Sequence, residues 1–271
     1  MSLRSGRIVG AEALARWWDP DWGPVAPLEF ITVAEDSGLI HELGAQVVRR
    51  AARDCAAWQE HPDFAGIAIN VSIRQLVQPE EVATLVSQAI AAEGIAPGFL
   101  TLEITESLLI EQLDSARNVL YALRDLGVHL SLDDFGTGYS LLSYLSKLPF
   151  DSVKIDHSLI RNIVDTQQAA AVAAAIIQMG HALDLHVIGE GVETQEQAAR
   201  LQALGCDIAQ GFYFAPPIAP KQLTALLHER PNLMPQATRR PRTRVARATA
   251  ARATCRLTPT DPKPTHSRRS S

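Results

Sequence analysis

Cysteine and long apolar runs are scarce in this chain of 271 residues. The three cysteines, Cys55, Cys206 and Cys255, lie far apart and lack the short spacings of a zinc site or a redox motif. No stretch approaches the roughly 18 uninterrupted apolar residues of a membrane span, and residues 1–6 lack the apolar segment of a secretion signal. These absences disfavour cysteine chemistry and predict a cytoplasmic protein without a membrane segment.

The net charge of −5 is unevenly distributed along the chain. Residues 229–271 hold eleven Lys and Arg against two acidic residues, so residues 1–228 are strongly acidic. The tail has few large apolar residues, which predicts a folded domain over 1–228 and a basic, disordered tail over 229–271. Nucleic acid is the least favoured partner, because no aromatic residues alternate with the tail arginines.

Short apolar strands alternate with amphipathic helices along residues 1–228, which is typical of a parallel α/β sheet. The predicted helices cover 40–59, 80–93, 112–126, 167–184 and 194–204. The predicted strands are 7–13, 66–72, 99–105, 129–134, 152–156, 186–190 and 208–212. Seven such units in about 220 residues favour a (β/α) barrel over an open doubly wound sheet, although a barrel of this type has eight strands. The sequence therefore predicts a TIM-type barrel that lacks one strand.

Polar residues, most of them acidic, end nearly all of these predicted strands. In a barrel the carboxyl ends of the strands surround one mouth, where active sites form, whereas unpaired charges buried elsewhere would be costly. Any single acidic residue could be a helix cap, so the prediction rests on the whole set. Its members are Glu12, Asn70, Glu103, Asp133, Asp134, Lys154, Asp156, Glu190 and Gln210.

Carboxylates without clustered His or Cys favour magnesium, manganese or calcium over zinc. Asp133 and Asp134 are adjacent and would repel each other unless cations compensate, which predicts a shared site for two divalent ions. Two such ions can support the displacement of a phosphoryl group. Lys154 could then orient the attacking water or stabilise a phosphate oxygen, although an ion pair with Asp156 or with the acidic cluster is the alternative.

Two further features are compatible with a phosphate-containing substrate. The glycines in DDFGTGYS, residues 133–140, allow a tight turn directly after the acidic pair, but the spacing matches no phosphate-binding loop. Arg16 suits phosphate oxygens because its guanidinium can donate two parallel hydrogen bonds. A surface salt bridge is the alternative for Arg16.

The ordered motifs resemble the EAL domain, the family of bacterial cyclic di-GMP phosphodiesterases with a modified TIM-type barrel. The resemblance runs from about residue 6 to residue 217. The motifs are GAEALARW (10–17), PLEFITVAEDSGLI (27–40), INVSIRQL (69–76), LEITES (102–107), DDFGTGYSLLSYLSKLPFDSVKID (133–156), GEGVET (189–194) and CDIAQGF (206–212). The resemblance implies hydrolysis of cyclic di-GMP to linear pGpG with Mg²⁺ or Mn²⁺.

The resemblance also implies roles for individual residues. The ligands of one metal are Glu12, Asn70, Glu103 and Asp133, and those of the second are Asp133, Asp134 and Glu190. Lys154 matches the lysine that holds the catalytic water, and Glu106 matches the glutamate that steadies the loop 135–140. The candidates for catalysis are Lys154, Glu190, Glu106 and Glu193, the last being the second acid of GEGVET. The candidates for substrate contact are Leu14, Arg16, Asp156 and Gln210.

The chain departs from the family pattern in three places. Gly189 stands where Ala is usual, and Phe212 where Tyr is common. Family members also carry a helix and a first strand before the EAL strand, which this chain lacks, in agreement with the missing barrel strand. An open seam would expose strand edges, so a non-catalytic cyclic di-GMP receptor is the alternative to an active phosphodiesterase.

The resemblance also implies partners. EAL relatives commonly dimerise through the region after the DDFG motif, so the apolar run at 140–150 predicts a homodimer. The same run could instead be a helix packed on the barrel. A sensor or GGDEF domain is a further expected partner.

Overall fold

The computed structural model describes residues 1–76, 79–106, 109, 113–136, 145–229 and 252–256. Among these residues, no helix is both long enough and apolar enough to cross a bilayer. Residues 140–144 of the apolar run that was predicted to mediate dimerisation lie outside the described residues. Residues 137–139, which directly precede that run, lie outside them as well.

A curled parallel sheet forms the centre of the molecule. Its strands are β1 (Gly10–Asp19), β2 (Gly23–Val25), β3 (Gly66–Asn70), β4 (Leu100–Thr105), β5 (His129–Phe135), β6 (Ser152–Ile155), β7 (His186–Gly189), β8 (Ile208–Ala209), β9 (Pro217–Ile218) and β10 (Arg252–Arg256). The order is β8-β7-β6-β5-β4-β3-β1-β10-β9, and β2 pairs antiparallel with the end of β1. All seven predicted strands are present, so the predicted (β/α) barrel sheet is confirmed.

Helices connect most of the strands and cover the sheet. They are α1 (Pro27–Ser37), α2 (Ile40–Ala56), α3 (Ile73–Leu76), α4 (Pro79–Glu93), α5 (Leu113–Asp125), α6 (His157–Arg161), α7 (Gln167–Ala182), α8 (Gln195–Leu204) and α9 (Pro220–Glu229). The five predicted helices match α2, α4, α5, α7 and α8. The longer helices α1 and α9 were not among the predicted elements.

Local sequence explains where these helices begin and end. The Thr194 hydroxyl accepts from Gln197 N while the Gln197 side chain accepts from Thr194 N, which is a capping box at the start of α8. The same helix ends at Gly205, whose φ of 87° lies in the left-handed region that glycine adopts without steric cost. These caps fix the length of α8 and therefore the point at which the chain enters β8.

Alternating side chains give the sheet two different faces. In β4, Leu102 and Ile104 are fully buried and belong to the apolar core, whereas Glu103 between them is also buried but contacts charged groups. Successive residues of a strand point to opposite faces, so the leucine and isoleucine share one face and the glutamate lies on the other. The barrel interior therefore carries the polar residues.

One short segment of the predicted tail lies among the described residues. Residues 252–256 form β10, which pairs in parallel with β1 on one side and with β9 on the other. A strand from the tail thus stands in the gap that the sequence predicts. The rest of the tail, 230–251 and 257–271, lies outside the described residues.

Candidate functional site

Buried carboxylates from several parallel strands meet at the mouth of the barrel. They belong to β1, β4, β5 and the residue after β7, and none is more than 8% exposed: Glu12, Glu103, Asp133 and Glu190. Parallel pairing aligns these strand ends, for example Asn70 of β3 with Glu103. Residues that are far apart in sequence therefore meet in one acidic cluster.

Lys154 of β6 lies within this acidic cluster. Its Nζ contacts three carboxylates, at 2.8 Å from Glu103 Oε1, 3.2 Å from Asp133 Oδ1 and 2.7 Å from Glu190 Oε1. The side chain is only 1% exposed, so little solvent screens these contacts. Of the two ion-pair partners considered from the sequence, the acidic cluster is the one that the structure shows.

Burial and charge shift the pKa values of the cluster in a consistent direction. Burial raises the pKa of Glu103 well above its ordinary value and that of Glu190 to about 7, against the attraction of Lys154. Burial also opposes the charge on Lys154, but the surrounding carboxylates hold the pKa of its ammonium well above the usual range. Lys154 is therefore positively charged, whereas burial and the repulsion between carboxylates disfavour the charged forms of Glu103 and Glu190.

Two side-chain amides fix the orientation of Glu12. Asn70 Nδ2 donates to Glu12 Oε1 at 2.8 Å, and Gln210 Nε2 donates to the other oxygen, Oε2. Gln210 directly follows β8, so this contact joins the first and last of the predicted strands across the barrel mouth. The amides hold the Glu12 carboxylate without neutralising it.

The oxygen atoms of the cluster fit a divalent cation. One oxygen each from Asp133, Asp134 and Glu190 lie within 4.8 Å of one another. Glu103 Oε2 is buried and accepts no hydrogen bond from the described residues, which leaves a costly polar atom available as a ligand. Five carboxylates face one ammonium, and hard oxygen donors of this kind suit Mg²⁺ or Mn²⁺. The site residues therefore fit the metal that the sequence predicts.

Asp134 adopts a backbone conformation that is rare for a residue with a side chain. Its φ is 55°, in the left-handed region, and its N–H donates to Asp133 Oδ1 at 2.9 Å. Such strain persists where the surrounding structure enforces it, often at functional sites. Here it places two adjacent carboxylates at one mouth, and partial burial together with Asp133 raises the pKa of Asp134.

Glu106 contacts the loop that follows β5. Its Oε2 accepts a hydrogen bond from Gly136 N at 3.1 Å, and its side chain is buried. Gly136 has a φ of 100°, which a side chain at that position would oppose. The geometry suits the predicted steadying role, and residues 137–140 of that loop lie outside the described residues.

The remaining candidates occupy different surroundings. Asp156 caps α6 by accepting from Ser158 N at 2.9 Å, and although burial opposes ionisation, the hydrogen bonds from Ser158 lower the pKa of Asp156. Glu193 lies at an exposed position just before α8. Leu14 and Arg16 are half-buried on β1, at the alternate positions after Glu12. The alternation places both on the same face of β1 as Glu12.

Ser131 is a buried residue of this region that sequence reasoning missed. It pairs in register with Glu103 and lies two residues before Asp133 in β5. Its Oγ is fully buried and has no hydrogen-bond partner among the described residues. The period-two spacing of polar residues in SLDD was the available signal, since it places Ser131 and Asp133 on the same face of the strand.

Comparison with known proteins assigns most of the chain to one family. A family model described as the EAL domain matches residues 1–217. The bifunctional diguanylate cyclase/cyclic di-GMP phosphodiesterase MucR of Pseudomonas aeruginosa is 38% identical over 223 residues, which cover 82% of this chain and 32% of MucR. The chain spans only 27% to 37% of the length of the curated relatives compared with it.

Solved structures resemble this chain as well. The MucR phosphodiesterase in complex with c-di-GMP aligns with a TM-score of 0.68 at 38% identity, covering 73% of this chain and 80% of that one. The Klebsiella pneumoniae protein BlrP1, in its complex with manganese and cyclic di-GMP, aligns with a TM-score of 0.61 at 33% identity and covers 70% and 47%.

Proposed function

Because this chain belongs to the EAL domain family, we propose that it hydrolyses one phosphodiester bond of cyclic di-GMP to give linear pGpG. The family is one of cyclic di-GMP phosphodiesterases, and the similar MucR structure holds that dinucleotide. The observation that carries the proposal is the buried cluster in which Lys154 contacts Glu103, Asp133 and Glu190. Bound divalent cations would balance its excess negative charge and would attract the two phosphates of the dinucleotide.

Two Mg²⁺ or Mn²⁺ ions are the proposed cofactors. Glu12, Asn70, Glu103 and Asp133 would hold one, while Asp133, Asp134 and Glu190 would hold the other. Such ions polarise a phosphate oxygen and make water a stronger nucleophile. The manganese in the BlrP1 complex and the close approach of the Asp133, Asp134 and Glu190 oxygens support this assignment.

The protein side chains supply orientation and charge. Lys154 Nζ, held by three carboxylates, would donate a hydrogen bond to the attacking water and fix its direction. Arg16, on the same face of β1 as Glu12, would donate to a phosphate oxygen beside Leu14. Glu106 would keep the loop after β5 in place through Gly136 N, and Gln210 would hold Glu12. Asp156 and Glu193 stay predictions for substrate contact and catalysis, respectively.

We also propose a homodimer, and a sensor or GGDEF domain as a partner. The run proposed for dimerisation, 140–150, lies partly outside the described residues. MucR is named as a diguanylate cyclase as well as a phosphodiesterase, and it is about three times as long as the matched segment. A longer polypeptide that joins the two activities is thus consistent with this chain.

Chromatographic conversion of cyclic di-GMP to pGpG by the purified chain tests the proposal. Product should form with Mn²⁺ or Mg²⁺ and disappear with EDTA. Asp133→Asn should lower turnover by at least about 10²-fold, because it removes a charge that both proposed metal sites share. Asp165→Asn, at an exposed position after α6, is the matched control and should leave turnover unchanged.

A folded chain that binds cyclic di-GMP without product would be the non-catalytic receptor instead. A folded chain with neither binding nor product would contradict both functions. Circular dichroism of each variant separates these outcomes from unfolding.

A further inference from the structure

The wall of the barrel has a strand-wide gap between β1 and β9, and the tail fills it. Residues 12–16 of β1 pair in register with residues 252–256, and Pro217 and Ile218 of β9 pair with Arg252 and Ala253. Among the described residues, β9 has no other strand partner. Without β10, the edge of β1 that carries Glu12 would face an opening in the wall.

The position of β10 follows the repeating rule of the fold. Each strand from β3 to β8 lies beside the next strand along the chain, and β10 likewise lies beside β9. Helix α9 follows β9, so β9, α9 and β10 have the order of a βαβ unit. Parallel neighbours need a crossover of a dozen or more residues, and the sequence separation between β9 and β10 exceeds that length.

The helical layer outside the gap is already closed by contacts that do not involve the tail. Trp58 Nε1, just after α2, donates to Thr224 Oγ1 of α9 at 2.8 Å. His61 Nε2 lies 2.7 Å from Leu227 O. Leu223 and Leu227 of α9 are buried in the core. Because α2 and α9 are joined across the gap, an extended segment beneath them would be covered on its outer side.

An empty gap beneath these helices would be unfavourable. The backbone N–H and C=O groups along one edge of β1 would lose their ladder partners under a helical cover, and buried unpaired groups cost free energy. A short extended segment of this chain removes that cost. The sequence RATCR contains no proline, so each residue can donate to a ladder.

We propose that the groove between β1 and β9 is a binding site for one extended strand and that residues 252–256 of the same chain occupy it. The tail segment then completes the wall of the barrel between β1 and β9. Closure of the barrel by this segment does not depend on the proposed phosphodiesterase activity. It makes the backbone position of Glu12 depend on a segment more than 230 residues away.

Disulfide trapping in the full-length chain tests the occupant and the register together. Ala15 is the register partner of Cys255, and strands about 4.8 Å apart allow a disulfide between such partners. Under mild oxidation, Ala15→Cys should form an intramolecular bond with Cys255, detected by mass spectrometry of tryptic peptides. Ala13→Cys, two residues away on the same face, is the matched control and should crosslink severalfold less.

Equal yields in the two variants, or no crosslink in either, would overturn the proposal. A crosslink between two chains would also overturn it, since a second copy would then supply the strand. Both outcomes are read on folded protein, because circular dichroism and a thermal melt are taken before oxidation. None of these readouts depends on turnover of cyclic di-GMP.

A second measurement uses the backbone instead of a disulfide. Thr254→Pro removes an N–H from the centre of β10 and should abolish hydrogen-exchange protection over 12–16 and 252–256. Thr258→Pro, beyond the strand, should preserve it. If Thr254→Pro does not fold, hydrogen exchange is measured on the unsubstituted chain. The proposal then requires that the amides of residues 252–256 are protected to a similar degree as those of β1. Unprotected amides at 252–256 would overturn the proposal.

Discussion

The two ends of β5 and β6 carry charge in contrasting ways. At the amino end, His129 Nδ1 lies 3.5 Å from Asp151 Oδ2, and both side chains are partly exposed. At the carboxyl end, Lys154 is buried among more carboxylates than it can neutralise. A balanced pair near solvent holds neighbouring strands together, whereas a buried excess of negative charge is stabilised by a ligand of opposite charge. The imbalance, and not the number of charged residues, therefore distinguishes the candidate site.

The ionisation of the two ends shows the same contrast. The hydrogen bond to Asp151 raises the pKa of His129, and although burial opposes it, the hydrogen bonds from His129 and Leu130 lower the pKa of Asp151. Each partner thus favours the charged form of the other. In the acidic cluster, burial and repulsion instead raise the pKa values of Glu103 and Glu190.

Removing the lysine should produce the largest effect. Lys154→Met leaves Glu103 and Glu190 buried without their cation, so we expect a loss of about 3–5 kcal/mol in unfolding free energy without metal. Mn²⁺ should return part of that loss, because a ligand that binds only the folded state stabilises it. Urea denaturation with and without Mn²⁺ measures both. Lys221→Met, at an exposed position on α9, is the control, with an effect within about 0.5 kcal/mol.

A Lys154→Met variant as stable as the original chain in EDTA would show that the carboxylates carry no excess charge. The carboxyl ends of β5 and β6 would then be as balanced in charge as their amino ends.

Removing an amide that orients the cluster should have a smaller effect. Gln210→Leu takes away one donor to Glu12, and loss of such outer contacts lowers metal affinity by about 10–100-fold. Isothermal titration with Mn²⁺ measures that affinity, and the KM for cyclic di-GMP is determined at saturating Mn²⁺. Gln88→Leu, at an exposed position on α4, should change neither. Unchanged Mn²⁺ affinity with a raised KM would instead assign Gln210 to the substrate alone.

The balanced pair should give the smallest effect, with a definite pH dependence. His129 has a folded pKa above its unfolded value of about 6.5, so its protonated form stabilises the fold below that value. The contribution is lost as pH rises through the raised folded pKa. We expect His129→Gln to cost less than about 1 kcal/mol near pH 6, because the pair is half-exposed, and nothing near pH 9.

Thermal or urea unfolding at the two pH values measures this difference, with the exposed His228→Gln as a control. A destabilisation of equal size at both values would mean that His129 acts through packing, and the pair would no longer serve as the balanced reference.

The repeat of strands and helices was predictable because it depends on local patterns. The alternation in LTLEIT predicts a strand with its glutamate on the interior face, and Gly205 predicts the end of a helix. The ends of the predicted strands 7–13, 99–105 and 129–134 located carboxylates for the same reason, since parallel strands align their carboxyl ends. The helices α1 and α9 begin at Pro27 and Pro220, and proline in the first turn is a helix-start signal that the prediction did not use for these two segments.

The sequence by itself determined the barrel class, the acidic strand ends and the family, because periodicity and ordered motifs are properties of neighbouring residues. Only the tertiary structure decided that Lys154 contacts the carboxylates instead of Asp156, that Gln210 holds Glu12, and that residues 252–256 lie beside β1. These contacts join segments up to about 240 residues apart. Their free energy comes from burial and from pairing of polar groups, which no local pattern encodes.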